Sequence, residues 1–266
     1  MANQRDEAEK LNASPTFLTF HRLSRGFTWG ATNFSPQRFR GLLETLLEAG
    51  YRLHSTNEKP TRWSTGDPAI AISFDDAYEE LHQELPPLME QFRLSPTIFV
   101  PTAFVGRSNR WDYASIFSRT NHLSETQITD LRKAGVEFGT HGHTHRDLTR
   151  LDSSALSIEL RHSRDQLKQI LGESVDCLSY PFGRLGPKVV AAAEEAGYRR
   201  AYTMRFPEPD DPAMATGRIA VYAFDSPLSV LRKLRTGRLR GLEALKGRIV
   251  NRLSGGTTLL NRMLGR

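Results

Sequence analysis

Short apolar and β-branched runs alternating with amphipathic helical stretches predict an α/β fold built on a parallel sheet. The alternation starts at once, with a strand over Thr16–His21 (TFLTFH) and a helix over Pro36–Gly50, and it recurs along most of the chain. The length of 266 residues, 38% of them hydrophobic, suits one large core rather than several small ones. This many βα units predict closure of the sheet into a barrel, with reactive side chains at the C-terminal ends of its strands.

Further strands are expected over Ala69–Phe74 (AIAISF), Thr97–Val100, Val136–Gly139, Cys177–Tyr180, Arg200–Thr203 and Ile219–Tyr222. Helical patterns fill the gaps at Glu79–Phe92, Glu125–Ala134, Ser153–Leu171 and Lys188–Ala196, with Ser124 and Asp152 as N-caps. Loops are expected over Arg107–Asn121 and Phe206–Gly217, and either could border a cleft. The resulting division is a flexible polar segment over 1–15, a barrel over 16–227, and a basic, partly amphipathic tail over 228–266.

The net charge of +6 is local rather than general. Residues 228–266 hold ten Lys or Arg against Glu243 alone, which assigns +9 to the tail and leaves −3 for the rest. That distribution argues against a nucleic-acid-binding domain. Charged residues interrupt every apolar stretch well before the ~20 residues that a membrane span requires. The N-terminus does not read as a secretory signal, and the single cysteine, Cys177, excludes an internal disulfide. A reducing, cytoplasmic location is therefore expected.

Two motifs carry chemistry. In Ser73-Phe74-Asp75-Asp76-Ala77 two adjacent carboxylates close an apolar strand, where one can ligate a metal while its neighbour reaches the attacking water. The pair alone also has the composition of a helix N-cap. In Gly139-Thr140-His141-Gly142-His143-Thr144-His145 two imidazoles stand four residues apart after another short strand. Joined to one carboxylate they form a three-ligand set that leaves room for a reactive water, as catalytic zinc sites do. His143 is expected to face away from the metal.

Together these segments, SFDDA and HGHTH, resemble the polysaccharide deacetylase family, the NodB-like carbohydrate esterases, whose signatures are a TFDDG-like strand end and H-S/T-x-x-H. Leu178-Ser179-Tyr180-Pro181-Phe182-Gly183 is similar to the family's Pro-aromatic-Gly segment, so the resemblance runs from about Phe17 to Phe224. It implies a distorted (β/α) barrel and a divalent metal, zinc above other transition ions. It also implies Asp75 as general base, Asp76, His141 and His145 as metal ligands, and a Tyr180 backbone N–H beside Pro181 as oxyanion donor. The implied reaction is removal of an N-acetyl or other N-acyl group from an amino sugar in a glycan or lipid-linked glycan.

The chain departs from the family in two places. No histidine follows His162, so the late Leu-x-His segment that supplies a proton donor is absent, and His21 at the end of the first strand is the candidate acid, or a buttress of the site. Ser179 and Tyr180 occupy the segment where an arginine orienting the base is expected, leaving Arg184 or Arg22 as substitutes. Trp111, with Asp112, Tyr113 and Phe104, could form an aromatic wall for a sugar ring or pack within a loop. The basic tail could lie on an anionic membrane at its cytoplasmic face, or pack as a helix with a solvated basic side. Alternatives that keep the same residues are an O-acetyl esterase, an amidase of noncarbohydrate substrates, and a catalytically inactive glycan-binding barrel.

Overall fold

The structure, a computed structural model, describes residues 16–26, 31–54, 68–108, 120–208 and 211–234. The 1–15 segment, Trp111 with its neighbours and residues 235–266 of the basic tail lie outside the described residues. The strands are β1 (Thr16–Phe20), β2 (Arg22–Leu23), β3 (Asn33–Phe34), β4 (Arg52–His54), β5 (Ala69–Phe74), β6 (Thr97–Val100), β7 (Glu137–Thr140), β8 (Cys177–Ser179), β9 (Arg200–Thr203) and β10 (Thr216–Ala220). The helices are α1 (Pro36–Glu48), α2 (Leu81–Phe92), α3 (Glu125–Lys133), α4 (Ser153–Leu171), α5 (Pro187–Glu195) and α6 (Pro227–Leu234).

Among the described residues, seven strands close into a parallel barrel in the order β1-β5-β6-β7-β8-β9-β10. The short β4 adds to the first half of β5 beneath β6, with Leu53 opposite Ile70. Alternate residues of each strand face the lumen, so contacts between non-adjacent strands identify its contents. A small apolar cluster of Phe17, Ala71, Phe99, Cys177 and Tyr202 fills one level. Polar side chains of β1, β5, β8 and β10 fill the next, beginning with a 2.9 Å contact between the Thr19 and Ser73 hydroxyls. The larger apolar core lies outside the barrel, where Leu18, Phe20, Ile70, Ile72, Phe74 and Ile98 meet Phe39, Leu42, Leu43 and Leu46 of α1 and Leu81 and Leu85 of α2.

Local chemistry accounts for the helix ends. Ser124 forms a capping box with Gln127 at α3, and Asp152 accepts from the Ala155 N–H at α4, which ends at Gly172 in the left-handed region (φ 71°). The α4 stripe turned to the barrel comprises Leu156, Glu159, Leu160, Ser163 and Leu167, a helical repeat with one carboxylate in it.

Two boundaries bear on the site. The start of the basic tail, 228–234, takes the packed-helix alternative: α6 docks on the barrel, with Val230 in the main core and Lys233 ion-paired with Asp225. The last barrel strand starts at Thr216 rather than Ile219, so Gly217 and Arg218, expected at the junction of a loop, lie within it. Thr-Gly-Arg lacks the apolar pattern of a strand, but the site demands it. A Cβ at Gly217 would stand 2.7 Å from Pro207 Cα and 2.8 Å from the Arg205 carbonyl oxygen, a separation only glycine permits.

Candidate metal centre and active site

The two motif segments leave neighbouring strand ends on the same mouth of the barrel. After β5 the chain turns through Asp76 (φ 70°) and Ala77 (φ 50°), and after β7 through Gly142 (φ 74°) and His145 (φ 56°). Left-handed backbone at three non-glycine residues costs of order 1 kcal/mol each, and it concentrates at this mouth. Its effect is convergence: Asp76, His141 and His145 are all buried, and their ligand atoms lie within 4.8 Å of one another. His145 Nε2 stands 3.4 Å and His141 Nε2 3.7 Å from Asp76 Oδ1.

The donor set fits a divalent transition ion. One carboxylate oxygen and two imidazole nitrogens leave coordination positions open, as a catalytic rather than structural centre requires. His141 Nδ1 donates to the Ser179 carbonyl at 2.7 Å, which selects the tautomer whose Nε2 faces the other ligands. Burial lowers the His141 pKa and, reinforced by the nearby His141 charge, holds His145 well below the ordinary histidine value, so both rings are kept in the neutral form that binds metal. His143 turns away, its Nδ1 2.9 Å from the Thr102 hydroxyl and its ring edge-on to His162 at 5.8 Å.

Asp75 lies beside this triad, its Oδ2 3.9 Å from His141 Nε2. Neither Arg22 nor Arg184 reaches it: Arg22 pairs with Glu80, and Arg184 donates to Asp147 at 2.6 Å. The orienting cation is Arg218, which sequence reasoning did not single out. From inside the lumen its Nη1 donates to Asp75 Oδ1 at 2.9 Å and its Nη2 to Oδ2 at 2.8 Å. It also donates to the hydroxyls of Ser179 (2.7 Å) and Ser73 (3.2 Å), while its guanidinium lies 5.1 Å from the Phe99 ring centre. Burial would raise the Asp75 pKa, but Arg218, followed by His141 and His21, more than offsets it and holds the carboxyl far below the usual range. Ser179 thus occupies the expected arginine position and serves the same carboxylate, donating to Asp75 Oδ2 at 3.2 Å.

His21 follows β1 at the same mouth, near the charges of Asp75 and His141; burial lowers its pKa to about 4. The oxyanion expectation for Tyr180 needs correction. Its N–H donates to the Tyr202 carbonyl at 3.0 Å, and its hydroxyl is tied to the Met214 carbonyl at 2.9 Å, so the residue is a fully buried strut between strands. Pro181 is buried against the HGHTH turn, its Cγ 3.5 Å from where a Cβ at Gly142 would stand. Phe182 borders the Asp/His/His set, with its ring centre 4.8 Å from that of His145 and its backbone left-handed (φ 60°).

A buried histidine, His122, also joins the site without a motif to announce it. Its Nδ1 donates to the Asp76 carbonyl at 2.6 Å, its ring stacks on Tyr78 at 5.1 Å, and burial lowers its pKa to about 4. Cys177 is closed off in the lumen, with its thiol pushed up to about 12 by burial, and is packing rather than a nucleophile.

The described residues thus place Asp-Asp and His-x-x-x-His turns at one mouth of a closed parallel barrel, and comparison supplies the family. The polysaccharide deacetylase family model matches residues 63–201, just over half of the chain, and the protein belongs to that family. Among curated relatives, the chain is 23% identical over 190 residues to YxkH of Bacillus subtilis strain 168, which carries a polysaccharide deacetylase name. It is also 23% identical over 145 residues to the poly-β-1,6-N-acetyl-D-glucosamine N-deacetylase of Staphylococcus aureus strain MRSA252. These alignments cover 70% and 51% of this chain but 63% and 48% of the relatives. Among solved structures, the deacetylase PplD of Streptococcus pyogenes in complex with acetate superposes with a TM-score of 0.69 at 19% identity, over 85% of this chain and all of that one. IcaB from Ammonifex degensii superposes with a TM-score of 0.68 at 20% identity, over 83% and 97%. Both establish the fold as the NodB-like deacetylase barrel.

Proposed function

We propose that the protein hydrolyses an N-acetyl or other N-acyl group from an amino sugar of a glycan or lipid-linked glycan, with a divalent ion held by Asp76, His141 and His145. The observation that carries this reading is the two-point clamp of Arg218 on Asp75, which places an ionised carboxylate at fixed orientation next to a buried Asp/His/His set. The bound ion supplies a lowered water pKa and a polarised acyl oxygen.

The chain's own residues do the rest. Asp75 is the base that takes the proton of the attacking water. Held far below its usual pKa, it retains that proton poorly, and His21, neutral at rest, is the group beside it with the higher proton affinity. His21 then delivers the proton to the leaving amine. For the oxyanion, the donor of the Tyr180–Arg184 segment is the Phe182 N–H. Pro181 has none, and among the described residues the N–H groups of Tyr180, Gly183 and Arg184 serve the carbonyls of Tyr202, Tyr180 and Pro181.

The test is acetate release from N-acetylated glucosamine oligomers by zinc-replete protein, with β-1,6-linked chains the first choice given the Staphylococcus aureus relative. Asp75→Asn is expected to lower turnover at least ~100-fold with zinc content unchanged. Turnover by Asp75→Asn at the wild-type rate contradicts the assigned base. Release from O-acetylated sugars alone makes the enzyme an esterase.

A peripheral position on the cytoplasmic face of a membrane fits the same chemistry. It is supported by the +9 charge of 228–266 and by the exposure of Phe224 (58%) and Leu228 (64%) where the chain enters that segment. Among the described residues no helix is long and apolar enough to cross a membrane. Co-sedimentation with phosphatidylserine vesicles, lost in 0.5 M salt, is the expected result; equal partition onto neutral vesicles contradicts an electrostatic attachment.

A further inference from the structure

In the second metal-ligand turn, the signature hydroxyl after the first histidine is missing, because Gly142 stands there. Yet the turn is closely held. The His141 N–H donates to the Val100 carbonyl at 2.8 Å, and the carbonyls of Gly142 and His143 accept from the N–H groups of Thr102 (3.2 Å) and Ala103 (2.9 Å). That leaves the turn's next donor, Thr144, which directly precedes the left-handed His145. Both its N–H and its hydroxyl donate to the carboxylate of Glu159, the hydroxyl at 2.9 Å from Oε2. Glu159 is the carboxylate inside the otherwise barrel-facing stripe of α4, 5% exposed.

A buried carboxylate in such a stripe is costly to retain unless its oxygens are engaged. Here they take two donors one residue away from a metal ligand. Gly142 completes the arrangement, since a Cβ there would lie 3.3 Å from Glu159 Oε1 in a backbone conformation (φ 74°) that disfavours side chains. A side chain at 142 and the carboxylate of 159 compete for one space.

We propose that Glu159 is a positioning residue for the metal centre, holding His145 in its ligating conformation through Thr144. This rests on the reading of Asp76, His141 and His145 as metal ligands. Loss of an outer partner that orients a ligand costs ~10–100-fold in metal affinity.

The experiment is titration of metal-free protein with zinc against a chromophoric chelator, paired with the visible absorption spectrum of the cobalt-loaded form. Glu159→Ala and Thr144→Val are expected to weaken zinc binding at least ~10-fold and to alter the cobalt bands, whereas Thr144→Ser, which keeps the hydroxyl, stays within ~3-fold of wild type. The Thr144 pair decides the matter if Glu159→Ala fails to fold. Zinc affinity and cobalt spectrum equal to wild type in Thr144→Val, or in folded Glu159→Ala, overturn the proposal. Absence of zinc binding by the wild-type protein overturns the metal reading beneath it instead.

Discussion

The two ligand-bearing turns solve one geometric problem with different physics. Each leaves its strand through left-handed backbone and brings candidate ligand atoms to the same point, but the turn after β5 carries two carboxylates and the turn after β7 carries imidazoles. Two adjacent buried acids are tolerable only if their charge is compensated. For Asp75 that compensation comes from Arg218, across the lumen and 143 residues away. The imidazole turn is kept neutral by burial, needs no counter-charge, and is held by hydrogen bonds to its backbone from the Thr102–Ala103 turn and α4. The first turn is therefore an electrostatic construction and the second a hydrogen-bonded one. Both rest on side chains outside the motifs, with His122 the carbonyl partner of Asp76 and Glu159 the partner of Thr144.

The strongest way to break this comparison is Arg218→Met. Removing one member of a buried ion pair is expected to cost ~3–5 kcal/mol in urea unfolding of the metal-free protein, because Asp75 is left buried and uncompensated. A loss below ~1 kcal/mol would show that the first turn does not depend on that charge.

Acid sharpens the contrast next. His21 and His122 have folded pKa values of about 4 against an ordinary 6.5, so between those values the unfolded chain binds more protons than the folded one. Their contribution to stability is complete above about pH 6.5 and is lost as pH falls toward 4. For the fully buried His122 it amounts to roughly 3 kcal/mol. Asp75, whose pKa is likewise lowered, keeps its contribution until pH drops through the ordinary carboxylate range. Urea midpoints of metal-free protein at pH 7 and pH 5 should therefore differ, and His122→Phe should narrow the gap. A midpoint independent of pH over that span is incompatible with neutral buried imidazoles.

The smallest expected effect is at Ala77. The family's TFDDG-like strand end has glycine where this chain has alanine at φ 50°, and Ala77→Gly is expected to raise stability by up to ~1 kcal/mol, read as a small rise in Tm. Gly142→Ala at the equivalent strained point of the other turn should do the reverse, since its new Cβ also meets Glu159.

Much of this was legible from local pattern. Ala69–Phe74, Thr97–Val100, Arg200–Thr203 and Ser153–Leu171 form the elements their periodicity predicts, because apolar repeat and capping chemistry act within a few residues. The roles of Arg22, Arg184 and Tyr180 were not legible. Arginine is read as surface charge until its burial is known, and whether the Tyr180 N–H is available depends on its pairing with β9. Glu159 did leave a trace, as the carboxylate at a barrel-facing position between Leu156 and Leu160, and a polar residue in such a stripe deserves suspicion.

What the sequence determined alone is the barrel class and the Asp76, His141 and His145 set that could hold a metal, since adjacent acids at a strand end and imidazoles four residues apart are arrangements of single turns. The tertiary structure decided what surrounds them. The family match at 63–201 contains both ligand turns, whereas His21 and Arg218 lie on β1's end and on β10, the strands outside that span that close the barrel. Only closure brings those strands against β5, and a buried arginine acquires its carboxylate partner when the lumen forms and excludes water, an event no local pattern encodes.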